Sequence, residues 1–241
     1  TSSAIGTHTY YNSLQVKVDR RFRNGMLLTT AYTWSKGLNF TEDLGGLAIN
    51  INRELNKARM SDNRTHVFVQ TYIWELPFGR GKKWLQSGPA SLLAGGWQLQ
   101  GMVSLMSGTW FSPSAAASLF NAPGNSQRPD WIAPVNYLGN VGPGELSFDP
   151  SAFAIPRQGT LGNAGRNILV GPGIVNWDAS VFRNFQITER WQLTFRAEAF
   201  NASNTPHFNN PSGNINSPQF GTVTGAAEDQ RQLQLGLTLR F

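Results

Sequence analysis

The chain closes on a ladder in which Leu233, Leu235, Leu237, Leu239 and Phe241 occupy every second position, with Gln234, Gly236, Thr238 and Arg240 between them. Successive side chains of a strand point to opposite faces, so this segment has one wholly apolar face and one polar or small face. The same period of two recurs in six earlier segments of about ten residues. A chain with seven such strands must cover the apolar face with a second sheet or set it against something other than water.

In the first segment Leu14, Val16 and Val18 alternate with Ser13, Gln15, Lys17 and Asp19. Asn24-Gly25 follows, a strong hairpin signal because a type I′ turn needs positive φ at both central residues. The second segment sets Met26, Leu28, Tyr32 and Trp34 against Leu27, Thr29, Ala31, Thr33 and Ser35. The third, from about Thr65 to Leu76, is ambiguous, since Val67, Val69 and Ile73 oppose Phe68, Tyr72 and Trp74. In the fourth, Trp97, Leu99, Val103 and Leu105 oppose Gln98, Gln100, Ser104 and Met106. The fifth sets Trp177, Ala179, Val181, Phe185 and Ile187 against Asp178, Ser180, Asn184 and Gln186. The sixth sets Trp191, Leu193, Phe195, Ala197 and Ala199 against Gln192, Thr194, Arg196 and Glu198.

The connections alternate in length. Short or moderate links join strands one to two, three to four and five to six, whereas 37–64, 109–176 and 202–230 are long and rich in Gly, Asn, Pro and Ser. Antiparallel order therefore puts the long loops at one end of the sheet and the short turns at the other. Compact soluble domains seldom carry such loops, while transmembrane barrels combine short periplasmic turns with long external loops. Ten residues at about 3.3 Å each, tilted by about 40°, span about 25 Å, the height of an outer-membrane apolar band. Trp34, Trp74, Trp97, Trp177 and Trp191 fall near strand ends, where interfacial girdles form. Charged residues make up only 14% of the chain, against about 25% in soluble domains. The expected fold is all-β: an antiparallel, up-and-down transmembrane β-barrel segment of about seven strands, incomplete and with long external loops. A soluble β-sandwich explains the alternation as well, but not the loop asymmetry or the low charge.

The terminal ladder resembles the C-terminal signal by which outer-membrane barrels are recognised for insertion, here Gln234, Gly236, Leu239 and Phe241. More specifically, WELPFGRGKKW, GGWQLQGMVSLMSGTWF, NWDASVFRNFQI and LTFRAEAFNASNTPHFNNP resemble the closing strands of TonB-dependent outer-membrane receptors, most similar to the Oar-like branch common in acidobacteria. The resemblance covers nearly the whole chain. It implies that 1–241 is the C-terminal part of a bacterial outer-membrane barrel domain, with the plug domain and first strands outside it. The family's barrel has 22 strands and imports scarce ligands such as a glycan, a peptide or a metal chelate. The implied partners are outer-membrane lipid, the barrel-assembly machinery, the receptor's own plug and, through it, the TonB energy-coupling complex. The alternative is a non-transporting surface β protein, either an adhesin or a soluble glycan-binding β-sandwich.

Other chemistries find little support. The chain has no cysteine, which excludes disulfides and thiolate metal sites. His8, His66 and His207 are scattered without ligand spacing and read as polar rim residues, so no metal or cofactor is expected. Asp62 near His66 suggests an acid–base pair only weakly, and no catalytic site and no enzymatic activity are expected. The net charge of +6 does not imply nucleic acid, because the basic residues are dispersed and the densest group, Arg80, Lys82 and Lys83, reads as a solvated turn. No segment reaches the length of a membrane helix, and a chain starting at Thr1 is expected to be processed or cut. Arg196 and Glu198 form a candidate charge pair on the polar, lumen-side face. The aromatic and amide-rich stretches 110–125 and 209–221 suit a glycan, although loop composition alone accounts for them.

Overall fold

The computed structural model describes residues 8–40, 49, 53–116, 118, 127–139, 142–227 and 230–241. Seven long strands form its main sheet: β1 (Tyr10–Arg23), β2 (Met26–Asn39), β4 (His66–Glu75), β5 (Trp97–Met106), β10 (Ile174–Gln186), β11 (Gln192–Phe200) and β12 (Gln232–Arg240). They lie side by side in chain order, and every neighbouring pair is antiparallel. The short strand β3 (Ala58–Arg59) adds to the end of β2. The β1–β2 turn is built as its sequence requires, with Asn24 at φ 55° and Gly25 at φ 77°.

The register fixes which side chains share a face. Leu239, Leu237, Leu235 and Leu233 stand opposite Leu193, Phe195, Ala197 and Ala199. Ala197 faces Val181, Val181 faces Leu99, and Leu99 faces Trp74. Trp74 in turn faces Met26, and Trp34 faces Leu14. One largely apolar face therefore runs from β12 to β1, with Thr30 opposite Gln70 as a polar pair in its middle. This resolves the third segment: Phe68, Tyr72 and Trp74 join the apolar face, and Val67, Val69 and Ile73 turn to the other side. No second sheet covers the apolar face among the described residues, and Leu233, Leu235 and Leu237 are 71%, 76% and 70% exposed. The sandwich alternative required that cover.

The fully buried residues gather elsewhere, in the long connections. Phe148, Ala152, Phe153, Ala164, Leu169 and Phe220 form a cluster with Phe148 and Phe220 edge-to-face at 5.4 Å and Phe153 and Phe220 at 5.7 Å. Two small ribbons frame it, β6 (Trp110–Phe111) with β9 (Leu169–Val170) and β7 (Asp130–Trp131) with β8 (Phe153–Ala154). Bridges at Ser114–Asn214 and Leu146–Thr222 stitch the fourth-to-fifth connection to the sixth-to-seventh, and Ser212–Phe220 folds the latter back on itself. The described residues of the long connections form a packed layer at one end of the sheet. At the other end the β4–β5 link carries the short helix α1 (Pro89–Ala94).

Candidate functional site

Two surfaces are candidates: the polar face of the sheet and the loop layer at its end. On the polar face Arg196 and Glu198 are two apart on β11, with Phe182 and Gly236 flanking Arg196 and Ser180 and Gln234 flanking Glu198. Arg196 Nη1 lies 3.7 Å from Glu198 Oε1, and the Arg196 side chain is 58% exposed. At that separation and exposure the pair is a screened ion contact, contributing about 0–1 kcal/mol. With Thr194, Gln234 and Arg240 it lines a shallow polar groove.

The four residues of the insertion-signal resemblance divide between the faces. Gln234 and Gly236 belong to the polar face; Leu239 belongs to the apolar face opposite Leu193. Phe241 is 90% exposed and stacks on Trp191 at 5.3 Å. A Cβ on Gly236 would meet nothing within 4 Å. Packing within the chain therefore does not demand glycine at this position.

Polar groups of the apolar face pair with one another across the strands in two places. Trp177 Nε1 donates to the Tyr72 hydroxyl at 3.0 Å, reaching across Gly101 of the intervening strand. The Tyr32 hydroxyl and His66 Nδ1 lie 2.8 Å apart. His66 thus pairs with a tyrosine at the loop end of the apolar face, and the imagined Asp62–His66 couple is not formed. Aromatic rings flank the face at both ends, with Trp74, Trp97, Phe185 and Trp191 toward the short turns and Tyr32, Trp34 and Trp177 toward the loops.

The loop layer is held by buried polar side chains that sequence patterning did not single out. Arg166 donates through Nε to Asn56 O at 2.9 Å and through Nη2 to Asn39 O at 2.9 Å, and it also contacts Asn39 Oδ1. Arg128 donates to Leu55 O at 2.7 Å and to Asn56 Oδ1 at 2.9 Å. Burial, and then the nearby Arg166 charge, push the Arg128 guanidinium down to about 10. Asn167 Nδ2 donates to Arg59 O at 2.7 Å. These bonds join 127–167 to the β2–β4 connection across more than seventy residues of chain. Their sequence signal is slight: Arg166 is the one charge in LGNAGRNILVGPG, and Arg128 sits in SQRPDW beside Asp130.

His207 is a correction to the rim assignment. It is buried at 2% exposure, and its Nε2 lies 3.0 Å from Val175 O. The amides of 209–221 are likewise engaged internally rather than extended toward a ligand: Asn210 Oδ1 accepts from Thr109 at 3.2 Å, Asn216 Oδ1 from Ala116 N at 2.7 Å and Asn214 Oδ1 from Asn216 N at 3.0 Å. In the other stretch, 110–125, residues 117 and 119–125 lie outside the described residues. Exposed aromatics on the layer are Trp131 and Tyr137. The Trp131 backbone N–H is fixed by Asn163 Oδ1 at 2.6 Å. Among the described residues no group of three or more carboxylates and histidines converges.

An up-and-down antiparallel sheet with one naked apolar face, girdled by aromatics and closed at one end by long loops, defines a membrane-spanning β-barrel sheet. The comparison with known families agrees: the model of the outer membrane beta barrel domain family matches residues 1–234, and the chain belongs to that family. Its place is the bacterial outer membrane, and the apolar face is the lipid-facing one. No curated protein and no solved structure matches the chain closely enough to add a relative.

Proposed function

We propose that this chain is the C-terminal barrel portion of a TonB-dependent outer-membrane receptor, which binds a scarce ligand with its external loops and imports it without catalysing a reaction on it. The observation that carries the reading is the loop layer. Loops that served only to connect strands would need no aromatic core, yet these bury Phe148, Phe153 and Phe220 and are cross-tied by Arg128 and Arg166. Such bracing holds the exposed Trp131 and Tyr137 in fixed positions at the mouth, as a preorganised binding surface requires. The polar face, with Arg196, Glu198 and Arg240, then offers a wetted wall for a plug or a passing ligand. The sequence resemblance of the closing strands supports the energy-coupled class, and the chemistry of the ligand is a glycan, a peptide or a metal chelate.

The test is uptake by cells carrying the full-length protein. Accumulation of the ligand is expected to stop when the inner-membrane proton gradient is collapsed, and surface binding is expected to persist. Binding to a surface or cell without any gradient-dependent accumulation would instead establish the adhesin alternative.

A further inference from the structure

The end of the sheet opposite the loops carries a feature that transport does not use. The β4–β5 connection doubles back at Phe78 and Trp84, whose rings lie 5.8 Å apart, and then forms α1. The helix is docked closely on the turn before it. A Cβ on Gly95 would lie 2.5 Å from Ser91 O and 2.9 Å from Gly79 Cα, so helix and turn touch backbone to backbone. Its last carbonyls are capped from the sheet: Trp97 Nε1 donates to Leu93 O at 2.9 Å, Arg183 Nη1 donates to Leu93 O at 2.6 Å, and Arg183 Nη2 contacts Leu92 O.

Those capping groups locate the helix. Trp97 and Arg183 are register partners on the lipid-facing side, and the Arg183 guanidinium lies 4.3 Å from the Phe185 ring centre and 5.5 Å from that of Trp97. Trp97 also packs edge-on to Phe195 at 5.8 Å. The helix therefore sits on the lipid-facing side of the sheet, continuous with its aromatic girdle. Yet Leu92 and Leu93 are 63% and 76% exposed, with only Ser91 of the helix buried.

Charge is concentrated at the same end. Residues 20–26, 75–97, 183–192 and 240–241 hold nine basic and two acidic residues; the rest of the chain holds eleven and twelve. Of the nearest cations, Lys82 is paired with Glu75 at 2.6 Å, while Arg80 and Lys83 are exposed, Lys83 lying 5.1 Å from the Trp84 ring centre. Apolar side chains, interfacial tryptophan and exposed cations on one docked helix-turn are the components of an interfacial membrane surface. Short turns face the periplasm, so the leaflet in question is the periplasmic one.

We propose that α1 and the turn before it form a lipid-binding surface: Leu92 and Leu93 enter the periplasmic leaflet, and Arg80 and Lys83 hold the phosphate headgroups of anionic phospholipid there. Continuity with the lipid-facing girdle selects a membrane over a periplasmic protein as the occupant. The excess of positive charge selects anionic over zwitterionic headgroups. The role is independent of ligand import, since it rests on the barrel and not on the receptor reading.

The experiment uses the full-length protein reconstituted in vesicles of phosphatidylethanolamine with and without phosphatidylglycerol. An environment-sensitive fluorophore on L93C, with L92C as a second position, is expected to be quenched by lipid brominated along its acyl chains and shielded from aqueous iodide. Separately, R80A/K83A is expected to retain less phosphatidylglycerol relative to phosphatidylethanolamine after purification, by about fivefold per charge removed. R80K/K83R should restore the retention, and unchanged heat-modifiable gel mobility would show that the barrel is intact. Fluorophores open to iodide and untouched by brominated lipid would overturn the insertion and leave the surface free for a periplasmic protein. Unchanged phosphatidylglycerol retention in R80A/K83A would overturn the headgroup assignment.

Discussion

Gly101 is the most demanding position of the lipid-facing sheet. It lies on β5 opposite Tyr72 and opposite Ala179, and the Tyr72 ring lies flat over it to reach Trp177. A Cβ at Gly101 would stand 2.5 Å from the Tyr72 hydroxyl oxygen, 2.7 Å from Tyr72 Cζ and 2.6 Å from Asp178 O. The tyrosine must lift and the strands must part slightly, an overpacking cost of about 1–3 kcal/mol. Lifting Tyr72 also strands the Trp177 indole N–H in hydrocarbon, at about 1–3 kcal/mol. Against the sum stands a gain of about 0.5–1 kcal/mol from replacing a strand glycine with alanine. Gly101→Ala is thus expected to destabilise the inserted barrel by about 1–5 kcal/mol, with Tyr72→Phe alone losing about 1–3 kcal/mol through the stranded Trp177 N–H. Equilibrium unfolding of the full-length protein in lipid vesicles, followed by tryptophan fluorescence, measures both. In a Tyr72→Ala background the Gly101→Ala cost should shrink to what the Asp178 carbonyl imposes. A Gly101→Ala variant as stable as the parent would refute the close-packed arrangement of Tyr72, Gly101 and Trp177.

Other consequences can be checked as directly. Arg166→Met removes hydrogen bonds to Asn39 and Asn56 and is expected to cost about 1–3 kcal/mol locally for each acceptor left unsatisfied; external protease should then cut the loops while the barrel keeps its heat-modifiable mobility, and protease resistance equal to the parent would count against the cross-tie. Deleting Phe241 forfeits about 2–3 kcal/mol of apolar burial. A much larger loss of assembled full-length protein on a heat-modifiability gel would mark recognition by the assembly machinery, and normal assembly would remove the support for that role. Asp149 is held below its ordinary value near 3.8, first by the Ser151 backbone N–H and then by the Ser151 side chain. A depressed carboxylate contributes stability above its unfolded value and loses it as pH falls through the folded one, so the hydrogen-exchange protection factors of the amides at 151–153 should fall below about pH 4 and stay constant above it. Finally, residues 1–241 alone in detergent-free buffer should aggregate, because β1 and β12 each pair on one side only among the described residues and the leucine face is bare; a monodisperse monomer on size exclusion would contradict the membrane reading.

What the sequence by itself determined is whatever a period of two can carry. Leu233 to Phe241, Leu193 to Ala199 and Leu14 to Val18 each have one apolar and one polar face, so their facing follows from local alternation alone. The Asn24-Gly25 turn and the alternation of short and long links likewise predicted the strand order and the end at which the loops gather. Where both faces are apolar, alternation is silent. Val67, Val69 and Ile73 were as good as Phe68, Tyr72 and Trp74 until the pairing of Trp74 with Met26 and Leu99 chose between them, because facing is then set by hydrogen-bond register with two other strands. The loop layer was beyond the sequence for a related reason. Phe148 finds Phe220, Arg166 finds Asn39 and Arg128 finds Asn56 across 72 or more residues, with no period to announce them. Burying a guanidinium requires its acceptors to be in place, and only the tertiary structure brings three separate connections together to supply them.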